Sequence, residues 1–272
     1  MIAPILSFPD AQSIVVCGDI HGEFVALVEK LRVTYGIHDA LIIVAGDCGF
    51  GFEAPEYYEN IYQKIGHYLC ADNLWIVMLR GNHDNPAYFN GNKRITHERW
   101  QTVPDYTVLQ ACNHNILCVG GAISIDRSVR LQWMEACPER EAYWTDEAPI
   151  YNPMALDFLV EQGIKIDTVV SHTAPSFCEL QTKRGLSTWC LKDSALWNDT
   201  AQERQTMDDI YAHLLRGNHP LRHWYYGHFH QSWCSHIDGI NYTLLDIMEL
   251  QELVSYNGYT CVLKQLINKI FT

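Results

Sequence analysis

Three short apolar runs in the first 80 positions most constrain what this 272-residue chain can fold into. The runs span positions 14–17, 40–45 and 74–79, and they are rich in valine and isoleucine. Continuous apolar runs of this length are typical of strands that are buried on both faces of a parallel sheet. Apolar residues at helical spacing lie between them, first from position 24 to a helix end near Gly36 and then over positions 58–69. The pattern predicts a βαβαβ arrangement and therefore an α/β protein.

The second half of the chain has a less regular pattern. NILCVGGAISI at 115–125 predicts a strand, a turn and a second strand, positions 154–162 predict a helix, and DTVVSH at 167–172 predicts the end of another strand. RHWYYGHFH and INYTLLDIM follow in the last part of the chain, and the C-terminal residues fit either a strand or a helix. The polar segment 178–208 predicts a surface excursion or a lid. Because no stretch has the composition of a linker, we expect residues 1–272 to form one domain.

The composition indicates a soluble globular protein and excludes several kinds of partner. Charged residues make up 19% of the chain and apolar residues 48%, which is the usual balance of globular domains. The net charge of −13 disfavours stable nucleic-acid binding, because such binding needs a basic face. No segment reaches the roughly 18 uncharged apolar residues of a membrane span, and the first residues lack a basic leader pattern. We therefore expect a cytoplasmic protein without a membrane partner, whose oligomeric state the composition does not indicate.

Cysteine and tryptophan residues support narrower interpretations. The ten cysteines are scattered singly with no C-x-x-C pair, so we expect reduced and mostly buried thiols. Ordinary packing is also the expectation for Cys48, which follows a candidate ligand. Five tryptophans could stack on a nucleobase or could cover the edge of the core, and the sequence favours neither interpretation: Trp133, Trp144, Trp189, Trp197 and Trp233.

Side chains that bind metal ions recur where the apolar runs end. They are Asp19 and His21 after the first run, Asp47 after the second, Asn82, His83 and Asp84 after the third, and His172, His228 and His230 after later strands. The carboxyl ends of strands form the ligand-binding crevice of an open α/β sheet, so these segments can converge. The ligands outnumber the four of a tetrahedral site and suit two divalent ions that share a carboxylate. Without thiolates among them, Mn²⁺, Fe²⁺ and Zn²⁺ are all acceptable, and hydrolysis is the expected chemistry.

Each motif taken alone has a simpler interpretation, since GDIHG and GNHD could be turns and GHFH could alternate on a solvated strand. The ordered series GDIHG, GD, GNHD, SH and GHFH, however, resembles the calcineurin-like metallophosphoesterase superfamily over residues 14–246. The resemblance implies a four-layer α/β/β/α sandwich with two divalent ions, of which Mn²⁺ is the first expectation and Fe or Zn²⁺ the alternatives. The resemblance implies that Asp19, His21 and His230 hold one ion, that Asn82, His172 and His228 hold the other, and that Asp47 bridges the two ions. It also implies that His83 protonates the leaving oxygen and that Asp84 orients His83.

Two further stretches resemble a bacterial and phage branch of the superfamily. They are VGGAISIDRSVR and YWTDE, and they imply that Arg130 reaches the substrate phosphate, since a guanidinium matches phosphate oxygens. The GDxxDRG and GNHE motifs of Ser/Thr protein phosphatases are replaced here by GDCGFGFE and GNHD. The resemblance therefore implies a phosphodiesterase or phosphatase that hydrolyses nucleotide-like or small phosphate esters through a metal-bridging hydroxide. A Ser/Thr protein phosphatase-like enzyme and a non-catalytic scaffold are the alternatives.

Overall fold

The computed structural model describes residues 3–253, in which two β-sheets pack face to face between outer helices. The strands are β1 (Ile5–Ser7), β2 (Ser13–Cys17), β3 (Ala40–Val44), β4 (Leu74–Met78), β5 (Thr96–His97), β6 (Trp100–Thr102), β7 (Val108–Ala111), β8 (His114–Val119), β9 (Thr168–Ser171), β10 (His223–Tyr226), β11 (Trp233–Ile237), β12 (Ile240–Leu244) and β13 (Leu250–Glu252). The helices are α1 (Phe24–Glu29), α2 (Pro55–Ala71), α3 (Arg127–Ala136), α4 (Pro153–Glu161), α5 (Leu186–Cys190) and α6 (Leu196–Arg216).

The three apolar runs form the centre of the six-stranded sheet, whose order is β13-β2-β3-β4-β6-β5. β2, β3 and β4 are parallel, and Val15, Ile42 and Ile76 lie side by side across them. Helices α1 and α2 provide the crossovers, which confirms the βαβαβ prediction. Pro55 begins α2, where its missing N–H is not needed and its fixed φ favours the first helical turn.

The second sheet has seven strands in the order β1-β7-β8-β9-β10-β12-β11. Its central strands β8, β9, β10 and β12 are parallel, so their carboxyl ends lie at one edge. That edge carries the residues after β9 and β10, which include the later predicted histidines.

Hydrophobic residues form three successive layers across the two sheets. Val15 and Leu27 belong to the layer between the first sheet and helices α1 and α2, whereas Val16 belongs to the layer between the sheets. Neighbouring strand residues point to opposite faces, so one apolar run supplies both layers. The third layer packs Val169 of the second sheet against α4 and α6. The order of the layers is α/β/β/α, and the predicted fold class is confirmed.

The prediction of a second strand in the stretch 115–125 is wrong. β8 is present, but the chain after the glycines forms an irregular turn that leads into α3, a helix that was not predicted. The backbone N–H of Ile123 donates to the Glu203 carboxylate and that of Ser124 to Glu147. Buried carboxylates therefore take the hydrogen bonds that a neighbouring strand would have taken.

The polar segment 178–208 contains two helices that were not predicted. It contains α5 and the first half of α6, and Leu186 and Leu196 pack on Ile123 and Ile125. The sequence pattern does not indicate α6, because the charged residue Glu203 is buried on that helix. The single-domain interpretation and the role of this segment as a lid remain predictions. The end of the chain predicted as strand or helix lies outside the described residues beyond β13.

Within residues 3–253, no helix combines the length and the apolar character that crossing a membrane requires.

We expect Ile43→Ala to lower the free energy of unfolding by about 2–5 kcal/mol, because it leaves a cavity between the two sheets. Val33→Ala is the matched control, since Val33 is 79% exposed and its truncation should change stability by less than about 0.5 kcal/mol. Urea denaturation of both variants measures the difference, and equal effects would contradict the assigned inter-sheet core.

Candidate metal centre

The seven predicted metal ligands follow five strands, and both sheets contribute to the crevice in which they meet. Asp19 and His21 follow β2, Asp47 follows β3, Asn82 follows β4, His172 follows β9, and His228 and His230 follow β10. Parallel pairing brings the strand ends of each sheet to one edge, and the packing of the sheets brings the two edges together. The structure therefore places all seven side chains in two adjoining clusters.

The first cluster contains Asp19, His21, Asp47 and His230, and one ligand atom from each lies within 4.8 Å of the others. His230 Nε2 is 3.1 Å from Asp19 Oδ2 and 3.2 Å from His21 Nε2. Two imidazole nitrogens and two carboxylates thus present lone pairs to one small volume. This donor set suits a divalent cation such as Mn²⁺, Fe²⁺ or Zn²⁺.

The second cluster is arranged around the amide oxygen of Asn82. Asn82 Oδ1 is 3.0 Å from His172 Nε2 and 2.9 Å from His228 Nδ1. His172 Nε2 is also 3.2 Å from Asp47 Oδ1. Asp47 therefore belongs to both clusters and lies where a carboxylate would bridge two ions.

The buried charge of the crevice fits a bound cation. Asp19 and Asp47 are 1% and 0% exposed, and Oδ2 of each accepts no hydrogen bond from the described residues. Burial would raise the pKa of Asp47, but His83 and His172 outweigh burial and hold that pKa well below its ordinary range. Burial likewise lowers the pKa of His172, but the Asp47 carboxylate raises it overall to about 9. A proton on His172 thus balances the carboxylates, and a divalent ion would take over that role.

The turns that carry the ligands are unusually tight. Four ligand residues have left-handed backbone conformations, with φ between 45° and 68°: His21, Asp47, His228 and His230. Such conformations cost about 1–3 kcal/mol each and persist only where the surroundings hold them. Gly227 permits a close approach, because a Cβ atom there would lie 2.1 Å from Asp19 Oδ1.

His83 and Arg130 lie together beside the first cluster. His83 Nδ1 is 4.0 Å from Asp47 Oδ2, and Arg130 Nη2 donates to His83 Nε2 at 2.8 Å. Arg130 is fixed on α3 by Asp126, whose two carboxylate oxygens each lie 2.9 Å from Arg130 Nε. Burial lowers the pKa of His83 to about 4; Asp47 opposes this change, and the Arg130 charge adds to it. A neutral imidazole and a guanidinium therefore face the space next to the clusters.

Asp84 lies against backbone rather than against the His83 side chain that it was expected to orient. Its carboxylate accepts from the N–H groups of four residues in the two adjacent loops: Cys48, Gly49, Phe50 and Gly81. Asp84 thus ties the loop that carries Asp47 to the loop that carries Asn82. Cys48 is buried with its thiol on the Leu79 carbonyl, and burial raises its pKa, as its predicted packing role requires.

Comparison with known proteins decides the family. Residues 12–232 match the calcineurin-like phosphoesterase family. The chain belongs to this family.

Several solved structures are similar to this calcineurin-like phosphoesterase, and no curated protein matches its sequence. TT1561 of Thermus thermophilus is 14% identical with a TM-score of 0.48, and the match covers 89% of this chain and 94% of that one. A dimetal phosphatase from Danio rerio is 11% identical with a TM-score of 0.48, covering 92% and 94%. A phosphopantetheinyl hydrolase from Mycobacterium tuberculosis is 13% identical with a TM-score of 0.44, covering 91% and 98%.

A buried relay behind Asn82, not found from the sequence, fixes the amide in this calcineurin-like phosphoesterase. Asn82 Nδ2 donates to Ser124 Oγ at 2.8 Å, and Ser124 Oγ donates to Glu147 Oε2 at 2.5 Å. Because Nδ2 is committed to Ser124, Oδ1 must point toward His172 and His228. The stretches VGGAISIDRSVR and YWTDE contain Ser124 and Glu147, but neither pattern indicates that the two residues contact each other.

Lys183 is a second residue near the centre that sequence patterns did not identify. Its Nζ lies 3.5 Å from His228 Nδ1, at the start of the segment that leads into α5. Its positive charge lowers the pKa of His228, for which burial is the larger cause.

We expect Ser124→Ala to weaken Mn²⁺ binding by about 10–100-fold, because Asn82 loses the partner that orients its amide. Isothermal titration of metal-stripped protein measures this affinity. Ser187→Ala, an exposed serine, is the control and should bind like the wild type. Unchanged affinity in Ser124→Ala would show that Asn82 needs no support from Ser124.

We also expect metal binding near pH 7 to release a proton from His172, since its pKa of about 9 keeps the imidazole charged before the ion binds. Affinity should therefore rise as the pH increases toward 9. Calorimetry in two buffers of different ionisation enthalpy counts the released protons. Asp47, whose pKa is held low, should release none. If the wild type released no proton on binding the ion, the assignment of a charged His172 in the metal-free site would be contradicted.

Proposed function

We propose that this chain is a phosphoesterase that uses two divalent metal ions, with Mn²⁺ as the first candidate, to hydrolyse small or nucleotide-like phosphate esters. The observation that carries the proposal is the Asp47 carboxylate, which belongs to both ligand clusters. A shared carboxylate holds two ions at a fixed separation, which is the arrangement that supports in-line displacement at phosphorus. Membership of the calcineurin-like phosphoesterase family supports the same reaction class.

Each ligand has an assigned role in this proposal. Asp19, His21 and His230 would hold one ion, Asn82, His172 and His228 would hold the second, and Asp47 would bridge them. The ions would supply a nucleophilic water at neutral pH and neutralise charge on the phosphoryl oxygens. Hydrogen bonds to the backbone or to Ser124 hold Asp19, Asn82 and His172, so the chain preforms this part of the site.

His83 and Arg130 are the groups of the chain that would contact the substrate. A phosphate would replace His83 Nε2 as an acceptor for Arg130 Nη2, which now lies 2.8 Å away. Its negative charge would also raise the pKa of His83, because a nearby anion favours the imidazolium form. His83 could then give a proton to the leaving oxygen while Arg130 holds the phosphate.

The preference for small esters rests on what surrounds the centre. The loop after Asp47 continues as Cys48-Gly49-Phe50 and lacks the arginine that Ser/Thr protein phosphatases of the family carry there. The net charge of −13 makes the metal centre itself the main attraction for an anionic substrate. Cys17, Cys48, Cys118, Cys178 and Cys190 are buried free thiols, which fits the reducing cytoplasm that we propose as the location of the protein.

Asp47→Asn should reduce hydrolysis by more than about 100-fold, because an amide cannot replace the bridging charge. The assay compares bis-p-nitrophenyl phosphate with p-nitrophenyl phosphate in metal-stripped protein reloaded with Mn²⁺. His83→Ala should lower turnover by about 100–10,000-fold while Mn²⁺ still binds.

Asp10→Asn, at an exposed position, is the matched control and should retain full activity. The ratio of the wild-type rates on bis-p-nitrophenyl phosphate and on p-nitrophenyl phosphate distinguishes a phosphodiesterase from a phosphomonoesterase. Full turnover in Asp47→Asn would contradict the assigned roles, and a wild-type protein that binds two ions without cleaving either ester would favour the scaffold alternative.

A further inference from the structure

A cavity of about 290 Å³ adjoins the proposed metal centre, between α5, α6 and the turn after β10. We infer that this cavity binds the organic group of the substrate and selects phosphate esters that carry a planar aromatic ring. The inference rests on the proposed function and names the substrate class for the same site. The volume lies just below the roughly 300–1,000 Å³ of small-molecule pockets, so it suits one ring and not a folded protein surface.

The cavity and the centre share one residue. His228 lines the cavity, and its Nδ1 is 2.9 Å from Asn82 Oδ1 in the second ligand cluster. A phosphate held at that cluster would therefore lie one side chain away from the cavity, on the side that we name its entrance.

Part of the cavity wall is apolar and aromatic, and polar residues, among them Glu203, complete it. Ile125, Leu186 and Phe229 are buried side chains that line it. Trp197 also lines it and is 54% exposed, so its indole has surface available for a ligand. Aromatic and aliphatic walls favour a flat apolar ring, because ring stacking adds to the burial of apolar surface.

Lys183 gives the entrance a positive charge. It lines the cavity, lies 3.5 Å from His228 through Nζ, and forms no salt bridge within the described part of the chain. Its charge also contributes to lowering the pKa of His83 and of Asp47, so its field extends across the crevice. A lysine that lacks a carboxylate partner and stands between the cavity and the ligands suits an oxygen of the ester phosphate.

Arg204 adds a planar cation to the wall of the cavity. It lines the cavity, is 7% exposed, and lies 5.3 Å from the Phe229 ring centre. Its Nη2 donates to the Cys178 carbonyl, which holds the guanidinium in place. A guanidinium stacks on aromatic rings, so this side chain favours a planar ring in the cavity.

The test measures binding of three phosphonates to the Mn²⁺-loaded protein by isothermal titration calorimetry. Their C–P bond resists hydrolysis, so affinity is read without turnover. Methylphosphonate carries no ring, cyclohexylmethylphosphonate carries a non-planar ring, and benzylphosphonate carries a planar ring. We expect benzylphosphonate to bind about tenfold tighter than methylphosphonate and about threefold tighter than cyclohexylmethylphosphonate.

Two variants separate the parts of the subsite. Ala201→Trp fills the cavity, so it should abolish the preference for a ring while methylphosphonate binds unchanged. Gln202→Trp changes the next residue on α6, which does not line the cavity, and should retain the preference. Lys183→Gln should weaken all three compounds by a similar factor, with Lys192→Gln as the control.

The outcomes distinguish the subsite from the function on which it rests. Equal affinity for methylphosphonate and benzylphosphonate would overturn the subsite but would not contradict the proposed metal centre. A ring preference that survives Ala201→Trp would place the ring elsewhere and also overturn it. A protein that binds Mn²⁺ but no methylphosphonate would overturn the proposed function and the subsite with it.

Discussion

Two carboxylates buried without a full set of hydrogen-bond donors impose the central constraint on this molecule. Asp19 and Asp47 are almost completely enclosed, and charge in such a place must be balanced locally. The Asp47 carboxylate favours the charged form of the adjacent His172, so the pKa of that imidazole rises although it is itself buried. The same demand explains why glycines precede the ligands: Gly227 lets the turn after β10 approach Asp19 more closely than any other residue could. The fold therefore places positive charge and backbone around two negative groups.

The parallel strands were predictable because their burial is complete on both faces. A strand with almost no polar residue is stable only in a sheet that is covered on both faces. β2, β3 and β4 are such strands. The ligands were predictable for a related reason. Polar residues directly after a buried parallel strand must lie at the edge of the sheet where that strand ends. The sequence thus predicted which side chains would gather in the crevice, and the four-layer order followed from the family resemblance.

The errors arose where partners lie far apart in sequence. The turn at 123–125 resembles a strand because its apolar residues are local, whereas the carboxylates of Glu147 and Glu203 that bind its N–H groups come from other elements. Helix α6 is hidden for the complementary reason, because burial of Glu203 interrupts its apolar stripe. Lys183 had no motif at all. Each case depends on a tertiary contact of a charged side chain, which periodicity cannot reveal.

The position of Asp84 has a kinetic consequence. Its carboxylate binds two loops through their backbone N–H groups, so the segments that carry Asp47 and Asn82 are immobilised as one unit. The entropy of arranging these ligands is therefore lost when the chain folds and not when an ion arrives. Capture of an ion should then be governed by how quickly the ion sheds its water, with no slow reorganisation of the protein afterwards.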